Sequence, residues 1–307
     1  MGETRDAVQS HPAGTWAKLR TLRNRIWRRA RKLFRRRGER ARWAEPVKVP
    51  ECPDGWSTGP PDFVGIGAQR AGTSWWYTGI EAHPQVVRVP KRRKELHYFN
   101  RFWDGEVPDD LASRYHSLFP RPPGSLAGEW TPRYMYDYWA LPLLREAAPD
   151  TRLLVLLRDP VERYRSGLAF AVNRARRAKS PTRLAQLSDA VWRGFYAEQL
   201  RHVFRFFPRE RVLVLQFERC RSDPLAELRR TCEYLGIEPP DRLPEEMTRE
   251  REPQEKPPLP ESMRAELVER LRGDVASLGE LCPEIDLALW PNFAHLAETI
   301  GAPRANR

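Results

Sequence analysis

Three short stretches of this 307-residue chain carry side chains whose types and spacing bear on chemistry. The first is Gly67-Ala68-Gln69-Arg70-Ala71-Gly72-Thr73-Ser74-Trp75, which follows an apolar run and opens a helical pattern. Glycine lets a backbone approach a ligand closely. The free N–H groups and the dipole at a helix start favour an anion there. The spacing is that of a phosphate loop, G-x-x-x-x-G-K-[ST], except that Thr73 stands where the lysine belongs and Arg70 is the cation within the turn. A nucleoside triphosphatase or kinase uses that lysine on the β- and γ-phosphates. The turn therefore reads as an anion cradle outside the ATPase and kinase classes. The plain alternative is a strand-to-helix turn with no ligand.

The second stretch is Arg158-Asp159-Pro160-Val161-Glu162-Arg163-Tyr164-Arg165-Ser166-Gly167. Arg158 falls at the C-terminal end of an apolar run, the end at which open α/β sheets bind ligands. Its guanidinium can take a phosphate in bidentate fashion. Pro160 suits a first helical turn, and Ser166 comes round to the Pro160 and Arg163 side to offer a second hydrogen bond. Pairing of Arg158 with a nearby carboxylate, with Asp159 as a helix cap, is the structural alternative. The third stretch holds Glu95 and His97 among Lys91, Arg92, Arg93 and Lys94. Those cations can keep a carboxylate ionised or draw in an anion. On extended backbone positions 95 and 97 share a face, so either can be the base or the two can cooperate.

The elements that must hold these residues are legible as alternating apolar runs and helical patterns. Strands are predicted at Asp62–Gly67, Arg152–Leu157 and Arg211–Leu215, with helices over about Thr73–His83, after Arg158, over 187–206, over Pro224–Leu235 and over about Pro260–Leu281. Residues 84–140 read as irregular and 239–260 as a loop. This alternation predicts an α/β fold: a P-loop-like, three-layer arrangement with a central parallel sheet flanked by helices over 62–300.

Ahead of it, residues 1–61 divide into a disordered start, a basic amphipathic helix over Thr15–Trp43 and a Pro-rich linker. Residues 1–45 contain 14 Lys and Arg against 4 Asp and Glu, so they hold +10 of the chain's +12 charge. A nearly neutral body argues against a specific nucleic-acid partner. Trp16, Leu19, Ile26, Trp27, Ala30, Leu33 and Phe34 recur at helical spacing within the basic helix. That pattern is compatible with peripheral contact with an anionic membrane, with packing on the body, or with unspecific nucleic-acid contact. Cys52, Cys220, Cys232 and Cys282 lack metal-ligand spacing and read as thiols of a reducing compartment. No apolar run reaches the roughly 18 residues of a membrane span, and no secretory signal is evident, so a cytoplasmic location, with or without membrane association, is the expectation.

Taken in order, Gly67–Ser74 and Arg158–Ser166 resemble the 5′-phosphosulfate loop and the 3′-phosphate element of the sulfotransferases that use 3′-phosphoadenosine 5′-phosphosulfate (PAPS), the heparan-sulfate-type branch and its bacterial relatives above all. Lys94-Glu95-Leu96-His97-Tyr98-Phe99 resembles that family's K-E-x-H-F-F segment, and Gly128-Glu129-Trp130-Thr131-Pro132-Arg133-Tyr134 its E-K-T-P-x-Y segment. Val212–Glu218, Asp223-Pro224 and Tyr234-Leu235-Gly236 resemble its closing strand and helix. The resemblance covers roughly 62–240 and, more loosely, 255–292.

It implies sulfuryl transfer from PAPS to an acceptor hydroxyl or amine by in-line displacement, with 3′-phosphoadenosine 5′-phosphate (PAP) as product and no metal. It implies catalytic roles for Glu95 as base and Arg70 as the cation at the transferring group, with His97 as alternative or helper. Donor contacts are implied for Arg70, Ala71, Gly72, Thr73, Ser74, Trp75, Arg158 and Ser166. Two positions depart from the pattern. Arg70 replaces a lysine, and Trp130 replaces another, giving up a cation for what reads as a stacking face and weakening the case for a polyanionic glycan. Lys256 is a candidate for the basic loop over the 3′-phosphate. The expected acceptor is a glycan or an aromatic small molecule, met by two or three of the aromatics between the motifs. A P-loop phosphotransferase, or an impaired nucleotide-binding protein of the same fold, is the competing reading.

Overall fold

The computed structural model describes residues 47–88, 93–103, 107–178, 190–249 and 258–301. The expected basic helix over 15–43, Lys91, Arg92 and Lys256 lie outside the described residues. Four strands form one parallel sheet in the order β2-β1-β3-β4, with β1 at Phe63–Gly67, β2 at Gly128–Trp130, β3 at Arg152–Leu157 and β4 at Val212–Gln216. Val64 of β1 pairs with Glu129 on one side and Leu153 on the other, and Leu153 in turn pairs with Val212. β1, β3 and β4 are apolar on both faces because helices flank the sheet, which is why β3 and β4 read as Val/Leu runs. Burying each such Leu or Val contributes about 1.5–3 kcal/mol.

Beside the sheet lie α1 (Thr73–Glu81), α2 (Leu111–His116), α3 (Ala140–Ala147), α4 (Pro160–Ala178), α5 (Tyr196–Phe204), α6 (Phe217–Ser222), α7 (Pro224–Leu235), α8 (Glu245–Thr248), α9 (Glu261–Leu281) and α10 (Ala294–Gly301). α1 packs on α7 and α8, α9 packs on α4, α5 and α10, and α2 packs on α3. The three predicted strands stand within a residue or two of their expected ends. The reading of 84–140 as irregular is corrected: α2, β2 and the start of α3 lie there. β2 is only three residues, Gly-Glu-Trp, and a carboxylate at its centre hides it from any apolar pattern. The loop read over 239–260 includes the short helix α8.

Two local features aim the sheet's C-terminal edge. The β1–β3 register shifts between Gly65 and Gly67, and the amide of Ala68 then bonds the Leu156 carbonyl at 2.9 Å. The chain next turns through left-handed backbone at Arg70 (φ 70°) and Gly72 (φ 93°) into α1. At the end of β3, Asp159 caps α4, its Oδ1 accepting from the amides of Val161 at 2.9 Å and Glu162 at 3.2 Å.

Candidate active site at the C-terminal edge of the sheet

The turns after β1 and β3 meet. Arg70 Nη2 donates to Ser166 Oγ on α4 at 3.3 Å, joining residues 96 apart in sequence. The Arg70 guanidinium also lies over the Phe170 ring, 4.7 Å from its centroid. Burial, then the positive charge of Arg158, pulls the Arg70 guanidinium below its usual range, while Glu95 opposes the shift. Arg70, Arg158 and Glu95 therefore share one electrostatic neighbourhood. The two guanidinium groups in it give an anion a favourable field.

Arg158 is held by packing. Its guanidinium lies 4.6 Å from the Phe217 ring centroid, and Glu162 reaches it only at 3.9 Å. Its buried Nε has no hydrogen-bond partner among the described residues. A buried guanidinium donor in that condition is costly without an acceptor. Gly72 cannot carry a side chain, because a Cβ there would lie 2.6 Å from the same Phe217 ring. Phe217 thus packs against both the turn after β1 and the turn after β3. Trp75 turns its ring to Phe217 and Trp76 and donates from Nε1 to the Met247 carbonyl at 3.2 Å, so its contacts are with α6 and α8.

Sequence reasoning set Lys94 among the cations around Glu95 but did not bring it to the first turn. Lys94 comes from a separate segment and places Nζ 3.1 Å from Thr73 Oγ1 and 3.1 Å from Ser74 Oγ. It also lies 3.3 Å from Glu95. The ammonium absent from position 73 is supplied across space. Only the neighbouring carboxylate and the two hydroxyls at a helix start signal this in the sequence.

Glu95 and His97 are in contact, Glu95 Oε2 lying 3.2 Å from His97 Nε2. The extended geometry expected for them is corrected: His97 has φ 51° and starts a turn into the 3₁₀ segment Asn100–Trp103. Burial by itself would push the Glu95 carboxyl up, but the His97 ring and the Lys94 ammonium outweigh it and hold it below the ordinary carboxylate value. Burial likewise pulls His97 down, and Glu95 and Asn100 more than reverse it, so the ring holds its proton above the ordinary histidine value.

The segment bearing this pair is pinned by Glu129 of β2, a fully buried carboxylate. Glu129 accepts from the Leu96 amide at 3.2 Å, Tyr115 Oη at 2.8 Å, Tyr134 Oη at 3.0 Å and Thr131 Oγ1 at 2.5 Å. Thr131 Oγ1 in turn accepts from the His97 amide at 3.2 Å. A buried carboxylate with four donors is satisfied, and with Thr131 it fixes the backbone between Glu95 and His97.

Trp130 does not offer a stacking face. It is fully buried, its ring lies over Gly65, where a Cβ would come within 2.0 Å, and Nε1 donates to the Gly67 carbonyl at 3.1 Å. Trp76 and Tyr134 are core as well, whereas Tyr138 is exposed and stacks on His202. The C-terminal Trp290-Pro291-Asn292-Phe293 run also serves the site. Asn292 donates from its backbone and side chain to Asp159 Oδ2 at 3.1 and 2.8 Å, and Trp290 Nε1 donates to Glu218 at 2.9 Å. Glu218 itself accepts from the Asp159 amide at 3.1 Å. The Arg158-Asp159 corner is thus clamped from the far end of the chain.

The arrangement offers a basic double cradle for an anion with two charged groups, a carboxylate–imidazole pair beside it, and an ammonium touching both. The chain is 32% identical over 190 residues to human heparan sulfate glucosamine 3-O-sulfotransferase 3B1, covering 58% of this chain and 46% of that protein. It is 32% identical over 121 residues to the membrane-associated sulfotransferase kil1 of Dictyostelium discoideum, covering 39% of this chain and 25% of that one. It thus spans less than half the length of these curated relatives. The solved structure of a sulfotransferase from Alicyclobacillus acidocaldarius superposes with a TM-score of 0.57 at 25% identity, covering 75% of this chain and 98% of that one. Residues 60–253, more than half of the chain, match the family model described as the sulfotransferase domain, and the chain belongs to that family.

Proposed function

We propose that this protein is an enzyme that transfers a sulfuryl group from PAPS to an acceptor hydroxyl or amine, on a carbohydrate-containing acceptor in the first instance. The observation that carries the reading is the convergence of Arg70, Ser166, Arg158, Lys94 and the Glu95–His97 pair on one edge of the sheet. In this reading Arg158 and Ser166 take the 3′-phosphate. The Gly67–Ser74 turn, with the N–H groups of α1, takes the 5′-phosphosulfate. The acceptor oxygen bonds to sulfur as the sulfur–oxygen bond to the 5′-phosphate breaks, and the acceptor's proton passes to Glu95. Arg70 and Lys94 meet the negative charge that grows on the leaving oxygen. Positioning and electrostatics dominate such transfers, and no metal step is needed.

The reading of an impaired family member rested on Arg70 and Trp130. Arg70 keeps its charge, Trp130 belongs to the core, and Lys94 brings a cation to the turn, so neither departure empties the site. The carbohydrate acceptor draws support from relatives named for heparan sulfate glucosamine. Peripheral attachment through residues 15–43 draws support from the charge pattern there and from a relative named as membrane-associated. Among the described residues no helix is long and apolar enough to cross a membrane.

The test is calorimetric titration with PAP, PAPS and ATP, alongside Arg158→Ala, followed by labelled-sulfate transfer to a panel of oligosaccharides and phenols. Micromolar PAP binding, lost in the variant and much weaker for ATP, is expected. Folded protein that binds no PAP sinks the reading.

A further inference from the structure

Behind His97 runs a line of polar contacts that sulfuryl transfer does not itself require. His97 Nδ1 lies 2.8 Å from Asn100 Oδ1, Asn100 Nδ2 donates to Asp137 Oδ2 at 2.7 Å, and Arg133 Nε donates to the same oxygen at 2.7 Å. Asn100 and Asp137 are both 1% exposed, so neither contact is shared with bulk water. Arg133 and Asp137 come from the loop between β2 and α3, whereas His97 and Asn100 lie in the segment that bears Glu95. We propose that Asp137 is a positioning residue for the Glu95–His97 pair, acting through the side-chain amide of Asn100. The purpose of this role rests on the functional reading above; its geometry does not.

Donors and acceptors decide the orientation. Arg133 Nε donates to Asp137 Oδ2, so that oxygen is an acceptor and fixes which end of the Asn100 amide faces it: the NH₂. Asn100 must then present its carbonyl oxygen to His97, and Nδ1 must carry hydrogen. A neutral ring protonated at Nδ1 would aim the lone pair of Nε2 at Glu95 Oε2, an acceptor against an acceptor at 3.2 Å. A second proton, on Nε2, turns that contact into a charged hydrogen bond. Asp137 therefore holds the ring as an imidazolium against the carboxylate.

Without Asp137 the amide can turn over and donate to Nδ1, and a neutral ring then donates from Nε2 to Glu95. The two arrangements differ in the charge beside the base and hence in its basicity. The other charged groups about the pair are Lys94 on the same segment, Glu129 on β2, and Arg70 in the turn after β1. None of them touches Nδ1 among the described contacts, so the tautomer is left to Asn100.

The test is long-range ¹H–¹⁵N NMR of the full chain labelled with ¹⁵N-histidine. The chain has 6 histidines, and His97→Gln identifies the ring by the signal that it removes. In the native protein His97 is expected to stay doubly protonated past the ordinary midpoint of about 6.5, and its neutral form to carry hydrogen on Nδ1. Asp137→Ala is expected to lower that midpoint by about one unit and move the neutral form to Nε2–H.

A double variant that combines Asn100→Asp with Asp137→Asn exchanges the two roles. The carboxylate introduced at position 100 accepts from both Nδ1 and the amide introduced at position 137. This variant is expected to restore the Nδ1–H form. A folded Asp137→Ala protein with native His97 titration and tautomer overturns the proposal. If Asp137→Ala fails to fold, the exchanged pair decides, and a folded exchanged protein with His97 in the Nε2–H form overturns it. These readouts do not depend on turnover. Absence of sulfate transfer to any acceptor, with the ring behaving as stated, counts against the functional reading and leaves the positioning role standing.

Discussion

Arg70 and Ser166 join the turn after β1 directly to α4, Nη2 to Oγ at 3.3 Å. The cation at the β1 turn and the hydroxyl on α4 are thereby set against one another before any ligand arrives. Such preorganisation lowers the cost of orienting donors when charge develops. Arg70→Ala is expected to reduce turnover about 10²–10³-fold, the scale for one donor aimed at developing charge. Arg70→Lys keeps the charge and is expected to lose less. Ser166→Ala removes one neutral hydrogen bond, about 0.5–1.5 kcal/mol, and is expected to weaken PAP binding a few-fold. Calorimetry with PAP and initial rates of labelled-sulfate transfer read both. Native turnover in Arg70→Ala would contradict the placement of Arg70 at the transferring group.

Lys94 is expected to matter as much as Arg70. Its ammonium touches Thr73, Ser74 and Glu95 at 3.1, 3.1 and 3.3 Å. Lys94→Met keeps the apolar stem and removes the charge. Hydrogen bonds to charged groups contribute about 1.5–3 kcal/mol, so kcat/KM for PAPS is expected to fall roughly 10–150-fold with little change in melting temperature. An unchanged kcat/KM would reduce Lys94 to a surface contact of the turn.

These two sites show what the sequence could and could not display. β1, β3 and β4 were legible because a parallel sheet covered on both faces demands unbroken apolar runs, and the Gly67–Ser74 turn because it follows one of them. Asp159 was legible as a cap for the same local reason. β2 was not, because the carboxylate of Glu129 is made tolerable only by donors from Tyr115, Tyr134, Thr131 and Leu96, three of which lie outside the strand's own neighbourhood. Trp130 gave no sign of its burial, since the room for its ring comes from Gly65 on the adjacent strand. Lys94 reached Thr73, and Asn292 reached Asp159, across separations that no periodicity encodes. Residue types marked the chemistry, while the supports came from long-range packing.

The Glu95–His97 pair is expected to govern pH dependence. The raised value of His97 means that its contribution to stability is complete below the ordinary histidine value, about 6.5, and is lost as pH rises through the raised one. The lowered value of Glu95 means that its contribution is complete above the ordinary glutamate value, about 4.3, and is lost as pH falls through the lowered one. The melting difference between native protein and Glu95→Gln is therefore expected to peak between those limits. Both side chains are partly exposed, so its size is that of a screened pair, about 0.2–1 kcal/mol. Turnover should follow a different course. Loss of the His97 proton removes the cation that keeps Glu95 a weak base, so rates are expected to rise with pH on a limb above about 6.5. His97→Gln should flatten that limb, and a limb unchanged in this variant would assign it to another group.

Trp130 supplies the last prediction, because the family pattern and the packing disagree over it. The pattern places a lysine at this position, so Trp130→Lys has the form of a restoration of the site. The packing predicts damage. The indole is fully buried over Gly65 and bonded to the Gly67 carbonyl at the start of the turn after β1. Replacing it leaves a cavity, costing about 3–5 kcal/mol, and strands an ammonium in the core unless it escapes to solvent. A fall in melting temperature on the order of 10 °C is expected. Gly65→Ala attacks the same contact from below, since its Cβ would sit 2.0 Å from the ring. Overpacking of that kind costs about 1–3 kcal/mol. Combining Gly65→Ala with Trp130→Leu should recover part of the loss, because the smaller side chain relieves the clash that the alanine creates. Trp130→Lys protein that melts like the native chain would return Trp130 to the acceptor site.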